Sequence, residues 1–194
     1  PTPTIGMVGV TPDVERRATM SLDRDDDVLL VVGDWAPSLG ASEYLYRVHG
    51  LEAGSPPALD LEQEADVQAV VRELIADGTC DTAHDVSAGG LAVAVAEMAI
   101  AGGRGATLEV TDSAETRPDT LLFGESSASV ILAVEPHRLD RVRERCASSG
   151  VSARRLGTVG GTELRIALAT GPVIAVPVER LDRAHASTFA EALG

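Results

Sequence analysis

The residues best suited to chemistry lie in one short run, Ala83-His84-Asp85-Val86-Ser87-Ala88-Gly89-Gly90-Leu91. Residues 79–86 read as a strand that delivers Asp85 to its end, and a turn of small residues then opens an apolar helix over 91–100. Such a turn presents free backbone N–H groups and the positive end of a helix dipole, which together hold anions. Ser87 sits in that turn, and Gly89 and Gly90 let a phosphate come close to the backbone. Asp85 offers the carboxylate oxygen that a hard cation such as Mg²⁺ on that phosphate prefers. The same pattern also has a purely structural use, in which Asp85 or Ser87 caps the helix and the glycines permit close packing. His84, on a strand, is left without a role.

A second run, Phe123-Gly124-Glu125-Ser126-Ser127-Ala128-Ser129, reads as a turn before a buried strand. Glu125, Ser126 and Ser127 can present a carboxylate and hydroxyls to a ribose or phosphate, or the serines can bond their own backbone. In a third run, Leu39-Gly40-Ala41-Ser42-Glu43-Tyr44-Leu45, Ser42 is a helix cap and Tyr44 a packing residue, so structure alone accounts for it.

These runs need a frame. Val28-Leu29-Leu30-Val31-Val32 is a continuous apolar run closed by Gly33-Asp34, as expected of a strand buried on both faces. A short helix over 42–49 ends at Gly50. Asp60 caps a helix of about four turns over 61–76, with Leu61, Val67, Val70, Val71, Leu74 and Ile75 on one face. Strands follow over 106–110 and 129–134, with 111–122 polar between them. A charged helix over 139–147 is preceded by Pro136 and ended by Gly150. Strands over 153–159, 163–169 and 173–178 form a small antiparallel tail, and a helix over about 181–193 closes the pattern. The fold class is therefore α/β to α+β: a mixed sheet covered by helices. The run Ile5-Gly6-Met7-Val8-Gly9-Val10 also reads as a strand, one without a partner before it, which suggests a piece of a longer polypeptide.

Composition narrows the possibilities. The 194 residues are 44% hydrophobic but only 3% aromatic, so the core is built from Val, Leu, Ile and Ala. A net charge of −14 repels nucleic acid and anionic membranes. All 16 basic residues are arginine, which excludes a lysine nucleophile or a P-loop lysine in this segment. The two cysteines, Cys80 and Cys146, form no CxxC pair and fit a reducing cytoplasm.

Taken together, residues 1–9 and 39–45, the Asp-Val-Ser-x-Gly-Gly-Leu stretch at 85–91 and Leu122-Phe123-Gly124-Glu125-Ser126 resemble, in this order, the C-terminal part of formylglycinamidine ribonucleotide (FGAM) synthase. The stretch at 85–91 is similar to the wider superfamily of aminoimidazole ribonucleotide (AIR) synthetase. The resemblance implies that residues 1–12 are the last strand and linker of a preceding ATP-binding domain. Residues 13–194 would then be the AIR synthase-related C-terminal domain. It also implies a whole enzyme that uses ATP, Mg²⁺ and ammonia from a glutaminase subunit, with a small bridging subunit, to convert formylglycinamide ribonucleotide (FGAR) to the amidine. The family's catalytic histidines and ATP-contacting lysine lie upstream of this segment. Within the family, the first such domain uses the position of Asp85 for Mg²⁺ and the turn matching Glu125-Ser126-Ser127 for substrate, whereas the second forms an auxiliary or structural site. This sequence has Ala88, Ser127 and Ser129 where the family usually has Asp, Gln and Arg, so the groups best suited to grip a phosphate are missing. The segment alone is expected to be inactive and to pair as a homodimer.

Overall fold

The computed structural model describes residues 5–11, 13–111, 116–169 and 173–193, with side chains at all of these except 173 and 188–193. Its centre is β1 (Val28–Gly33), buried at all six positions. β1 pairs antiparallel with β4 (Ser129–Val134) on one side and with β5 (Ala153–Val159) on the other. Alternation along the strand sends Leu29 and Val31 into one apolar core and Val28, Leu30 and Val32 into a second. A strand dry on both faces needs helices on both faces. α3 (Gly90–Gly102), α4 (Pro118–Phe123) and α6 (Val178–Leu193) supply the first layer. α2 (Leu61–Ala76) and α5 (Leu139–Ser148) supply the second.

The full sheet runs β2-β4-β1-β5-β3-β6-β7, with β2 at Thr82–Asp85, β3 at Ala106–Val110, β6 at Glu163–Leu168 and β7 at Val173–Pro177. All pairs are antiparallel except β3 with β6. The expected antiparallel tail therefore holds for β6 and β7 only. Between β5 and β6, Gly105 at the mouth of β3 accepts from the Gly160 N–H and donates to the Gly161 carbonyl, both at 2.8 Å, and β3 occupies the gap.

The helices follow local signals. In α2, Val67, Val70 and Leu74 are buried one or two turns apart, and the Asp60 carboxylate accepts from the Glu62 and Gln63 N–H groups at 3.0 and 3.1 Å. α1 (Glu43–His49) starts at Ser42 and ends at Gly50, whose φ of 64° closes the last turn. α3 buries seven of its residues and is apolar nearly all round, as expected for a helix pressed between sheet and helices.

Two expectations change. The polar stretch before residue 123 contains α4, which begins with Pro118 at its first turn. Residues 5–11 lie outside every strand, and Ile5, Met7, Val8 and Val10 are 85%, 94%, 100% and 96% exposed. A strand forms only with a neighbour to complete its hydrogen bonds, and this segment pairs with none of the described strands. Residues 1–4, which open the 1–9 stretch named above, lie outside the described residues.

The loop before β1 is tied to the start of β2 by Arg24, whose guanidinium donates to both Asp81 oxygens at 2.9 and 2.6 Å and to Asp27 at 3.1 Å. The Arg24 hydrogen bond pulls the Asp81 carboxyl below its ordinary value, whereas burial pushes the Asp27 carboxyl above it. Asp81 therefore adds stability above the ordinary carboxylate range, and that contribution disappears as pH falls below about 4. Asp81 is 45% exposed, so the effect stays in the range of solvent-screened pairs. In urea titrations, Asp81→Asn should lower stability by up to about 1 kcal/mol at neutral pH, and the difference from wild type should close below about pH 4. Leu30→Ala, at a fully buried position in β1, should cost about 2–5 kcal/mol in the same measurement.

Candidate functional site

The C-terminal ends of β1 and β2 and the N-terminal end of β4 meet at one end of the sheet, where Gly33 faces Ser129 and Asp85 faces Val130. The chain leaves β2 through Val86, whose N–H donates to the Ser129 carbonyl at 2.9 Å, and turns through Ser87-Ala88-Gly89 into α3. Gly89 and Gly90 have φ of 82° and 71°. A Cβ on Gly90 would lie 2.5 Å from the Gly124 carbonyl oxygen and 2.7 Å from the Phe123 carbonyl carbon. Gly90 is thus required for α3 to seat against the 123–124 turn.

Neither Asp85 nor Ser87 caps α3, which has no side-chain cap from its own N-terminal turn. The carboxylate that reaches the bend belongs to Glu125. Its Oε1 accepts from the Glu43 N–H at 2.9 Å and, more loosely, from the Gly89 N–H at 3.5 Å. One acidic side chain thereby sits where an anionic ligand would approach, and it joins the start of α1 to the start of α3. Nothing in the local sequence signals this bridge, because its partners lie 82 and 36 residues away.

Asp85 is exposed, and its Oδ1 lies 3.2 Å from His84 Nδ1. His84 is largely buried, and its Nε2 lies 2.9 Å from Glu97 Oε2 on α3. His84, left without a role by the sequence, is therefore a bridge from β2 to α3. Among the described residues, no group of three His, Cys, Asp or Glu side chains is arranged to hold a metal. Mg²⁺ needs near-octahedral oxygen coordination, and a lone exposed carboxylate beside an imidazole does not meet that need.

Ser126 and Ser127 face another way. Ser126 Oγ accepts from the Ala36 N–H at 3.2 Å and lies 3.2 Å from Ser129 Oγ, and Ser129 Oγ donates to the Ser127 carbonyl at 3.1 Å. Both Ser126 and Ser127 line a groove of about 770 Å³ between this turn and residues 57–63. Asp34, Asp60 and Glu62 line the same groove, and among the described residues no basic side chain does. Three carboxylates without a compensating cation oppose an anionic ligand there. The sequence-derived set thus divides into Asp85, Ser87, Gly89, Gly90 and Glu125 at the bend, and Ser126 with Ser127 at the groove.

Tyr44, beside the bend, stacks on Phe123 with ring centroids 5.0 Å apart and planes 4° from parallel. The two cysteines are buried and free. Burial pushes the Cys80 thiol up to about 11 and raises that of Cys146, so neither is an activated nucleophile.

The fold is an α/β domain whose described strands form one mixed seven-stranded sheet. Residues 24–168 match the family described as AIR synthase related protein, C-terminal domain, and the chain belongs to that family. It is 51% identical over 164 residues to the phosphoribosylformylglycinamidine synthase subunit PurL of Moorella thermoacetica, covering 84% of this chain and 22% of that protein. Among solved structures it resembles Thermotoga maritima PurL complexed with FGAR, with a TM-score of 0.74 and 21% identity over 87% of this chain and 30% of that one. It also resembles the same protein complexed with ATP, with a TM-score of 0.68 and 19% identity over 85% of this chain and 27% of that one. At those identities the structural likeness speaks to the fold. The chain spans about a quarter of the length of the curated relatives it matches.

Gly90→Ala should destabilise the protein by roughly 1–3 kcal/mol, because it combines positive-φ strain with a clash against backbone. Urea denaturation measures the loss, and a neutral result would contradict the packing role given to Gly90.

Proposed function

We propose that this chain is the C-terminal domain of an FGAM synthase, the ligase that uses ATP and ammonia to convert FGAR to its amidine. The observation that carries the proposal is the 51% identity to a PurL subunit across most of the chain. In this reading, residues 13–194 form the domain and residues 1–12 belong to the end of the preceding ATP-binding domain. The bare apolar side chains of Ile5, Met7, Val8 and Val10 support that division, since a neighbouring sheet would cover them.

The chain's own role is to shape and support, with the chemistry done elsewhere on the longer polypeptide. Ser126 and Ser127 stand apart at the acidic groove, while at the bend Asp85, Ser87, Gly89, Gly90 and Glu125 form one wall of an auxiliary nucleotide site, and another domain supplies the other wall. ATP bound there would bring phosphate oxygens that complete a Mg²⁺ shell around Asp85. The Glu125 contact with Gly89 favours a scaffold role, because the bend's anion-seeking N–H is already engaged within the chain. The working assembly would include a glutaminase subunit and a small bridging subunit in the cytoplasm. No described helix is long and apolar enough to cross a membrane. The isolated chain is expected to pair as a homodimer.

Amidine formation from FGAR, ATP and ammonia provides the test. The isolated chain should give no turnover, while the whole polypeptide that contains it turns over. Turnover by the chain alone, on the order of 1 per second, would overturn the auxiliary role. Failure of the whole polypeptide would overturn the ligase assignment.

A further inference from the structure

We infer that residues 36–59, which connect β1 to α2, are a lid held shut by the single turn at residues 123–126. Within this excursion only Ser42 is buried, and α1 buries none of its own residues. A segment with so little buried surface opens at low free energy unless specific contacts hold it.

Those contacts converge on one place. Ser38 and Glu125 exchange both backbone hydrogen bonds at 2.9 Å. The Ala36 N–H donates to Ser126 Oγ at 3.2 Å, and the Glu43 N–H donates to Glu125 Oε1 at 2.9 Å. The Tyr44 ring lies flat on Phe123. Three successive structural features of the excursion, its entry, its bridge and its helix, are thus anchored to Phe123, Glu125 and Ser126 of one turn.

The excursion is also built to move as one piece. Its two limbs are joined internally, with the Ala41 N–H donating to the Ala53 carbonyl at 2.8 Å. Gly40 packs so closely on Ser55 that a Cβ there would lie 2.3 Å from the Ser55 carbonyl oxygen. Gly33, with φ of 105°, precedes the lid, and the Asp60 cap of α2 follows it. Both ends are therefore fixed, and rotation is left to the short stretches between them.

The lid has something to cover. Ala36 and residues 57–59 form one wall of the 770 Å³ groove, while Ser126 and Ser127 of the fixed turn form the other. Opening would widen that groove and free the Glu125 carboxylate from Glu43. This inference stands on the contacts alone and is independent of the nucleotide reading, so either can fail without the other.

Hydrogen exchange read by mass spectrometry on the intact 194-residue chain tests it. In wild type, the amides that hold the lid to the turn, those of Ala36, Ser38 and Glu43, should be protected relative to an unstructured peptide. Glu125→Ala removes a charge-assisted hydrogen bond and should speed their exchange on the order of ten- to a hundredfold, leaving α2, α3 and β4 unchanged. Tyr44→Ala, made on the lid itself, should act in the same place by severalfold or more, and it decides the matter if Glu125→Ala does not fold. Unprotected amides in wild type would overturn the lid, as would variants that leave the Ala36, Ser38 and Glu43 amides unchanged. Acceleration spread evenly over β1, α2 and α3 would overturn it too, by showing general loosening instead of a released segment.

Discussion

The structure depends on the burial of β1 on both faces. Val28, Leu30 and Val32 point into one core and Leu29 and Val31 into the other. Each such side chain contributes about 1.5–3 kcal/mol when removed from water, more than a typical hydrogen bond at the sheet end. This requirement brings α3, α4 and α6 to one face and α2 and α5 to the other. It also places β4 and β5 as the flanking partners of β1. The sheet end is consequently a rigid platform: Gly33 lies so close under Ala128 that a Cβ there would overlap its carbonyl oxygen. What the site can do follows from which side chains that platform brings together.

It brings carboxylates together far more readily than cations. At the glycine bend, Glu125 takes the place that a phosphate would seek, and at the groove Asp34, Asp60 and Glu62 stand beside two serines. The turn at 126–129 is closed on itself by serine hydroxyls, with Ser129 buried. The bend thus keeps the geometry of an anion site, while its electrostatics are those of a packed interface between α1, α3 and the 123–126 turn.

Elements governed by local signals were legible in the sequence. The apolar run of β1, the Asp60 cap with the face of α2, the Ser42 and Gly50 ends of α1, and the glycine bend before α3 all stand where pattern and capping chemistry place them. Pairing across distance was not legible. β3 lies between β5 and β6, although a hairpin through Gly160-Gly161 is the simpler local reading. α4 was hidden because its polar surroundings masked the Pro118 start signal. Residues 5–11 carry strand character without a strand, since a strand is completed only by a second segment that pairs with it. For the site, Asp85 and the glycines were readable by type, but the contact of Glu125 with Gly89 and Glu43 arises only when three distant segments meet.

In the proposed reading this chain provides one wall of a site, and the Glu125 carboxylate stands at the bend where a phosphate would approach. Isothermal titration of Mg-ATP into the isolated chain addresses this most directly. The account predicts no saturable binding tighter than about 1 mM. Stoichiometric binding in the micromolar range by the chain alone would contradict it, because one wall would then suffice.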